Sequence, residues 1–209
     1  MTIAPAPRRP PSPESEHDTP RGLRSLAWTA AGWSTLYALY RGYYAFGGTL
    51  ALPGRLRGDA HATFAAINAF AMVALLLGAG AALLAPRIRS TRFRIAYVVG
   101  CWAVAVGCVM HALVDMTVRV LSIGGALAVA YPSALWSSVD VRAADLQDLF
   151  GNEPWFLVEG VLFGAIGVLC VRSRRGRRGF FLSAVLAIAV AVAIGLLTAS
   201  GHLPRVIVG

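Results

Sequence analysis

The chain has 209 residues, of which 57% are hydrophobic and only 14% are charged. A soluble domain of this length needs more charged residues on its surface, so the composition excludes an ordinary soluble protein and predicts an integral membrane protein. The net charge of +9 comes from arginine alone, since the sequence contains no lysine, and the arginines flank apolar stretches. This distribution argues against nucleic-acid binding and predicts contact with the anionic headgroups of a lipid bilayer.

The first 22 residues contain six prolines and charges of both signs, with no hydrophobic periodicity. Such a segment cannot bury enough apolar surface to fold, so residues 1–22 are predicted to be a disordered cytoplasmic tail. Residues 23–209 are predicted to be one helical transmembrane domain. Its five apolar stretches are each close to the roughly 20 residues that cross a hydrocarbon core. They cover residues 25–46, 62–84, 96–116, 155–171 and 180–200.

The arginines predict how these stretches are oriented. Thirteen of the 19 arginines lie before the first stretch, between the second and third, or between the fourth and fifth. Short loops rich in arginine stay on the cytoplasmic side of a membrane. The N-terminus is therefore predicted inside and the C-terminus outside, with anionic headgroups of the cytoplasmic face bound to the loop arginines. Arg41 and Arg119 break the alternation, because they lie at or inside predicted spans.

The third stretch is longer than a simple span. It stays apolar past Asp115 and Arg119 to Gly124, where a glycine pair predicts the end of a long third helix. Residues 126–136 are apolar too, but a proline interrupts them and they are too few to cross a membrane. We expect a re-entrant or interfacial segment there. A sixth span is the alternative, although it would move the arginines of residues 172–178 outside.

Residues 138–150 are predicted to form an amphipathic helix on the outer face. Ser137 or Ser138 can cap its start and Gly151 can end it. Its apolar residues recur at helical spacing, as a helix lying at a membrane surface requires. The complete pattern predicts an all-α integral membrane bundle of about five transmembrane helices with an outer-face interfacial helix.

Polar residues inside four of the spans are predicted to meet in the outer half of the bundle. Ionisable groups there cost about 2.5–3.5 kcal/mol each on insertion scales, so each needs a partner or a wet cavity. Counting about 1.5 Å per residue from the predicted outer helix ends brings these side chains to a similar depth. The predicted ligand-binding residues are Tyr37, Arg41, Asn68, His111, Asp115 and Glu159.

The charges of this layer suggest how it works. We expect Asp115 and Glu159 to pair with Arg41, which leaves His111 to titrate or to bind a ligand. The sequence thus predicts an outward-facing polar pocket for a small ligand, ion or proton. Two alternatives stay open: a membrane-embedded enzyme that uses His111, Asp115 and Glu159 for acid–base chemistry, and a structural or accessory subunit. The sequence has no recognisable catalytic motif, and it assigns neither a metal nor a cofactor.

Gly160 and Gly164 form a GxxxG motif in the fourth span. Small residues at this spacing let a second helix approach closely. Packing within the chain is the first interpretation, and a homo-oligomer through Gly160 and Gly164 is the alternative.

Two short segments resemble a group of uncharacterised multi-pass membrane proteins from actinobacteria. Residues 40–53, YRGYYAFGGTLALP, close the first span, and residues 152–157, NEPWFL, open the fourth. No activity is assigned to that group, so the resemblance implies a bacterial inner-membrane protein and no particular chemistry. Both segments adjoin the predicted pocket.

Overall fold

The computed structural model describes residues 21–199, and this part of the chain is mostly helical. In chain order its elements are α1 (Arg21–Ala45), β1 (Gly54–Leu56), α2 (His61–Leu84), α3 (Thr91–Ile123), β2 (Trp136–Val139), α4 (Val141–Gln147), α5 (Glu153–Cys170) and α6 (Arg174–Ala199). The predicted tail lies outside the described residues except for Arg21 and Gly22, which already belong to α1. The predicted position of the C-terminus falls outside them as well.

Five long helices form the predicted all-α membrane bundle. Four helical segments are long and apolar enough to cross a membrane: His61–Arg87, Thr91–Ile123, Val141–Cys170 and Arg174–Ala199. The fifth helix, α1, is more polar and has 25 residues. It packs against both α2 and α5, and a helix in such a central position can carry polar groups because they face protein instead of lipid.

The alternating helix directions give the bundle two different ends. β1 and β2 pair antiparallel, with Gly54 opposite Val139 and Leu56 opposite Trp136. This pairing joins the α1–α2 and α3–α4 connections at one end, which we call the sheet end. The α2–α3 and α5–α6 turns lie at the opposite end, the arginine end. The two strands were not predicted, and β2 occupies the last residue of the expected re-entrant segment.

The long third helix is confirmed. α3 has 33 residues and ends at Ile123, with Gly124 as its cap and Gly125 in the left-handed region at φ 74°. At about 1.5 Å per residue it is about 50 Å long, well beyond the roughly 30 Å of a hydrocarbon core. Its last turns can therefore hold polar contacts at the sheet end while its centre crosses the membrane.

The predicted interfacial helix needs correction at both ends. Ser137 and Ser138 belong to β2, and α4 starts at Val141, where Asp140 Oδ1 accepts a hydrogen bond from the backbone N–H of Ala143 at 3.0 Å. Gly151 does not end the helix, because residues Asp148–Asn152 form a π-helical turn that continues into α5. The predicted interfacial helix and the predicted fourth span thus belong to one uninterrupted helical segment, Val141–Cys170.

An apolar core lies toward the arginine end of the bundle. Alanines dominate it, so α1 and α2 can approach closely, and α5 contributes Phe163 and Ile166. Toward the sheet end, aromatic side chains replace the alanines. Trp33 and Trp155 have ring centroids 4.1 Å apart, and Tyr37 stacks on Trp155 at 5.1 Å. These contacts fix α1 against the start of α5.

The GxxxG motif of α5 packs against α3 of the same chain. A Cβ atom added at Gly160 would lie 2.7 Å from Val109 Cγ2 and 3.1 Å from the carbonyl oxygen of Ala105. One added at Gly164 would lie 3.3 Å from Ala105 Cβ. Packing within the chain is therefore what both glycines permit, and a homo-oligomer through Gly160 and Gly164 stays a prediction.

We expect Gly160→Ala to lower the free energy of unfolding by about 1–3 kcal/mol, because the new methyl group overpacks the α3–α5 contact. Gly80→Ala on α2 is the matched control, since a Cβ there meets nothing within 4 Å. It should be neutral or stabilising by up to about 1 kcal/mol. Thermal unfolding in detergent, followed by circular dichroism, compares the two. Equal melting temperatures would contradict the close contact at Gly160.

Candidate functional site

Arg41 is held by neutral partners. Its Nη2 donates to the hydroxyl of Tyr37 at 3.0 Å, and its Nη1 donates to Asn68 Oδ1 at 3.2 Å. The buried Nε has no hydrogen-bond partner. Within residues 21–199 no carboxylate lies in ion-pair distance of this guanidinium. The predicted pairing of Arg41 with Asp115 and Glu159 is therefore wrong.

Glu159 is buried without a cation. Only 7% of the residue is exposed, and Ser34 Oγ lies 2.6 Å from its Oε1. Its other carboxyl oxygen has no hydrogen-bond partner. Ser34 precedes Arg41 by seven residues, so Glu159 lies about 10 Å deeper along α1, toward the arginine end.

A cavity of about 540 Å³ connects Arg41 with Glu159. Tyr37, Trp155 and Phe156 enclose the end near Arg41. Beyond them the walls are mostly apolar and include several small residues. These small wall residues are Ala71, Ala74, Gly78, Ala81, Gly100, Cys101 and Cys108.

The cavity lies between α2 and α3. These helices belong to different pairs, α1 with α2 and α3 with α5, and they do not pack along their lengths. Near the arginine end the gap is bridged by the Tyr97 hydroxyl, which donates to the carbonyl oxygen of Ala81 at 3.0 Å. Exposed wall residues such as Leu77 and Val104 mark an opening on the flank of the bundle.

A second polar region contains His111, Asp115 and Glu153. One ligand atom from each of these side chains lies within 4.8 Å of the other two. His111 Nε2 is 3.7 Å from Glu153 Oε1, and the imidazole packs edge-on against Phe156 at 4.6 Å. Glu153 is 3% exposed, whereas nearly half of the His111 side chain is exposed. The cluster is thus anchored in the protein and open on its histidine side.

Arg119 balances a group of carboxylates next to this cluster. Its Nη1 lies 3.3 Å from Asp145 Oδ1, and its Nη2 lies 3.1 Å from Asp148 Oδ2 and 3.6 Å from Asp115 Oδ2. The Tyr131 hydroxyl donates to Asp145 Oδ1 at 3.0 Å. Burial raises the pKa of Tyr131 above its usual range, which keeps this hydroxyl protonated as a donor. The arginine therefore ties α4 to α3.

The structure divides the predicted pocket into two regions. Tyr37, Arg41 and Asn68 meet as expected, and Glu159 shares the cavity with Tyr37 and Arg41. His111 and Asp115 instead meet Glu153. The acid–base set of His111, Asp115 and Glu159 is therefore not assembled in the described part of the chain.

Glu153, Asp145 and Asp148 are functional candidates that sequence reasoning missed. The two aspartates have a signal in the sequence: Asp145, Asp148 and Asn152 follow at spacings of three and four residues, as on one face of a helix. A helix stop at Gly151 hid this face, because it separated the two aspartates from the fourth span.

No protein-family model, curated protein or solved structure matches this chain. The chemistry of the two polar regions therefore rests on their own geometry.

We expect Arg119→Met to lower the free energy of unfolding by about 3–5 kcal/mol, because it leaves buried carboxylates without a cation. Arg57→Met is the matched control. Arg57 pairs with Asp59 at 3.2 Å, but both side chains are at least half exposed, so its loss should cost about 0–1 kcal/mol. Unfolding in detergent measures both. Similar losses in the two variants would show that Arg119 is not the anchor of α4.

Proposed function

We propose that this chain is a bacterial inner-membrane protein that binds a lipid-soluble amphiphile with an anionic headgroup in the cavity between α2 and α3. The single observation that carries the proposal is the guanidinium of Arg41, which faces an apolar cavity and has no carboxylate partner among the described residues. The acidic headgroup would bind Arg41, and the hydrocarbon part would lie along the small apolar wall residues.

Charge balance favours an anionic ligand. A guanidinium stays charged under all ordinary conditions, and Tyr37 and Asn68 supply dipoles but no negative charge. A carboxylate or phosphate group could accept two parallel hydrogen bonds from the arginine, which are the strongest that it makes. The buried Nε of Arg41, which has no partner, is one donor available for such a bond.

The cavity suits a hydrocarbon chain. Its volume of about 540 Å³ lies within the roughly 300–1,000 Å³ of typical ligand pockets. The opening between α2 and α3 is on the flank of the bundle, so a ligand dissolved in the bilayer could enter without crossing water. Glu159 lies deeper in the same cavity and offers no positive charge there, which leaves Arg41 as the group that would bind the headgroup.

A binding titration tests this proposal. The probe is a fluorescent long-chain polyene fatty acid, added to the purified protein in detergent and compared with its uncharged methyl ester. Wild type should bind the acid at least about tenfold more tightly than the ester, since a hydrogen bond to a charged group contributes about 1.5–3 kcal/mol. Arg41→Met should remove this preference while the protein still folds, because it deletes a charge that has no counter-ion. The loss of its hydrogen bond to the buried Asn68 should lower the free energy of unfolding by about 1–3 kcal/mol.

A pair of glycine variants on α3 tests the cavity itself. Gly100 lines the cavity and a Cβ there meets nothing within 4 Å. The Gly100→Leu side chain should therefore fill part of the cavity and weaken the binding of both the fatty acid and its methyl ester. Gly107 is equally unobstructed but lies outside the lining, so Gly107→Leu should bind like wild type. Equal binding of acid and ester by wild type would refute the proposal. Loss of folding in Arg41→Met would instead favour the structural alternative.

The arginine end is proposed to face the cytoplasm and its anionic lipid headgroups. The test is a pair of single-cysteine variants in a background where Cys101, Cys108 and Cys170 are alanine. A membrane-impermeant thiol reagent should label Ser138→Cys, in β2 at the sheet end, on intact spheroplasts. It should label Ser173→Cys, in the α5–α6 turn, only after permeabilisation. The reverse pattern would overturn the orientation.

A further inference from the structure

The cluster of His111, Asp115 and Glu153 combines an imidazole with two carboxylates from two helices. α3 contributes His111 and Asp115 one turn apart, and α5 contributes Glu153 at its first residue. All three ligand atoms lie within 4.8 Å of one another. From this geometry we propose that the three residues bind a divalent transition-metal ion of the Zn²⁺ type. The site is separate from the proposed amphiphile site at Arg41.

The Glu153 carboxylate is the observation that points to a ligand. The residue is 97% buried, since only 3% is exposed, and its Oε2 has no hydrogen-bond partner. Its Oε1 faces His111 Nε2 at 3.7 Å, which is too long for a hydrogen bond. Two atoms bound to one tetrahedral Zn²⁺ at about 2.1 Å lie about 3.4 Å apart. The observed separation is therefore close to what a shared ion requires.

The local charge also calls for a cation. Three carboxylates, those of Asp115, Asp145 and Asp148, lie within 4.0 Å of the Arg119 guanidinium, and Glu153 lies next to Asp115. Arg119 lies nearer to Asp145 and Asp148 than to Asp115. Asp115 and Glu153 thus lie together without a full counter-charge, and a bound cation is one way to neutralise such a buried pair.

The donor types select the class of metal. Zn²⁺ accepts imidazole nitrogen and carboxylate oxygen at about 2.0–2.2 Å, whereas Ca²⁺ and Mg²⁺ prefer oxygen ligands throughout. Three protein ligands would leave one tetrahedral position for water. The half-exposed side of His111 provides the route to that position. Phe156 packs on the imidazole and holds its orientation.

Isothermal titration of the protein with Zn²⁺ tests the proposal. The full chain is purified in detergent without a polyhistidine tag, treated with a chelator, and titrated with Zn²⁺, Ca²⁺ and Mg²⁺ separately. Wild type should bind one Zn²⁺ ion per chain and neither of the other ions comparably. Because loss of a group that only supports a ligand weakens binding about 10–100-fold, loss of a ligand itself should weaken it at least about 100-fold. Glu153→Gln, Asp115→Asn and His111→Gln should all show this effect.

Two exposed residues at the sheet end provide the controls. His61→Gln and Asp59→Asn remove the same chemical groups outside the cluster and should keep the wild-type affinity. Glu153→Gln should also melt at or above the wild-type temperature in chelator, since it removes a buried carboxylate that no arginine within 4.0 Å compensates, but it should lose the stabilisation by Zn²⁺. The proposal fails if wild type shows no saturable Zn²⁺ binding, if Ca²⁺ or Mg²⁺ binds more tightly, or if the control variants lose affinity like the cluster variants.

Discussion

The ion-pair network of Arg119 positions the elements at the sheet end. It joins α3 to Asp145 of α4, a residue with only 1% of its surface exposed, and to Asp148 in the turn that follows. Since α4 continues into α5 without a break, fixing α4 on α3 also sets the rotation of α5 about its axis. That rotation turns Glu153 toward His111 and Glu159 toward Ser34. The positions of Glu153 and Glu159 on α5 therefore depend in part on one guanidinium.

The two arginines inside the bundle have opposite environments. Arg119 has three carboxylates within 4.0 Å, whereas Arg41 has a phenol and an amide. An arginine at the centre of a membrane helix costs about 2.5–3.5 kcal/mol on insertion scales, and a nearby carboxylate offsets much of that cost. Arg119 is compensated in this way and serves the architecture. Arg41 is compensated only by dipoles, and this is why its cavity, rather than the Arg119 network, is the proposed site for an anionic ligand.

The helical bundle and half of the polar layer were predictable from the sequence, and the reasons differ. The length of each apolar stretch and the alternation of arginine-rich loops describe each helix separately. The five long helices and the extent of α3 were therefore predictable from the sequence alone. The contact of Arg41 with Asn68 followed from depth alone, because the helices that carry them are neighbours. The pairing of β1 with β2 was not predictable, because the strands are three and four residues long and lie about 80 positions apart. Glu153 was missed because the predicted fourth span began at residue 155, whereas α5 begins at Glu153 itself.

Phe156 links the two proposed sites physically. Its ring packs edge-on against Tyr37 at 5.8 Å, and His111 packs against it at 4.6 Å. Tyr37 in turn accepts the hydrogen bond of Arg41, so one aromatic side chain separates the arginine's partner from the imidazole. An ion that reorients His111 and a headgroup that draws Arg41 away from Tyr37 would both act on this ring. Any such coupling between the sites must be equal in both directions, because the free energy of binding both ligands does not depend on their order.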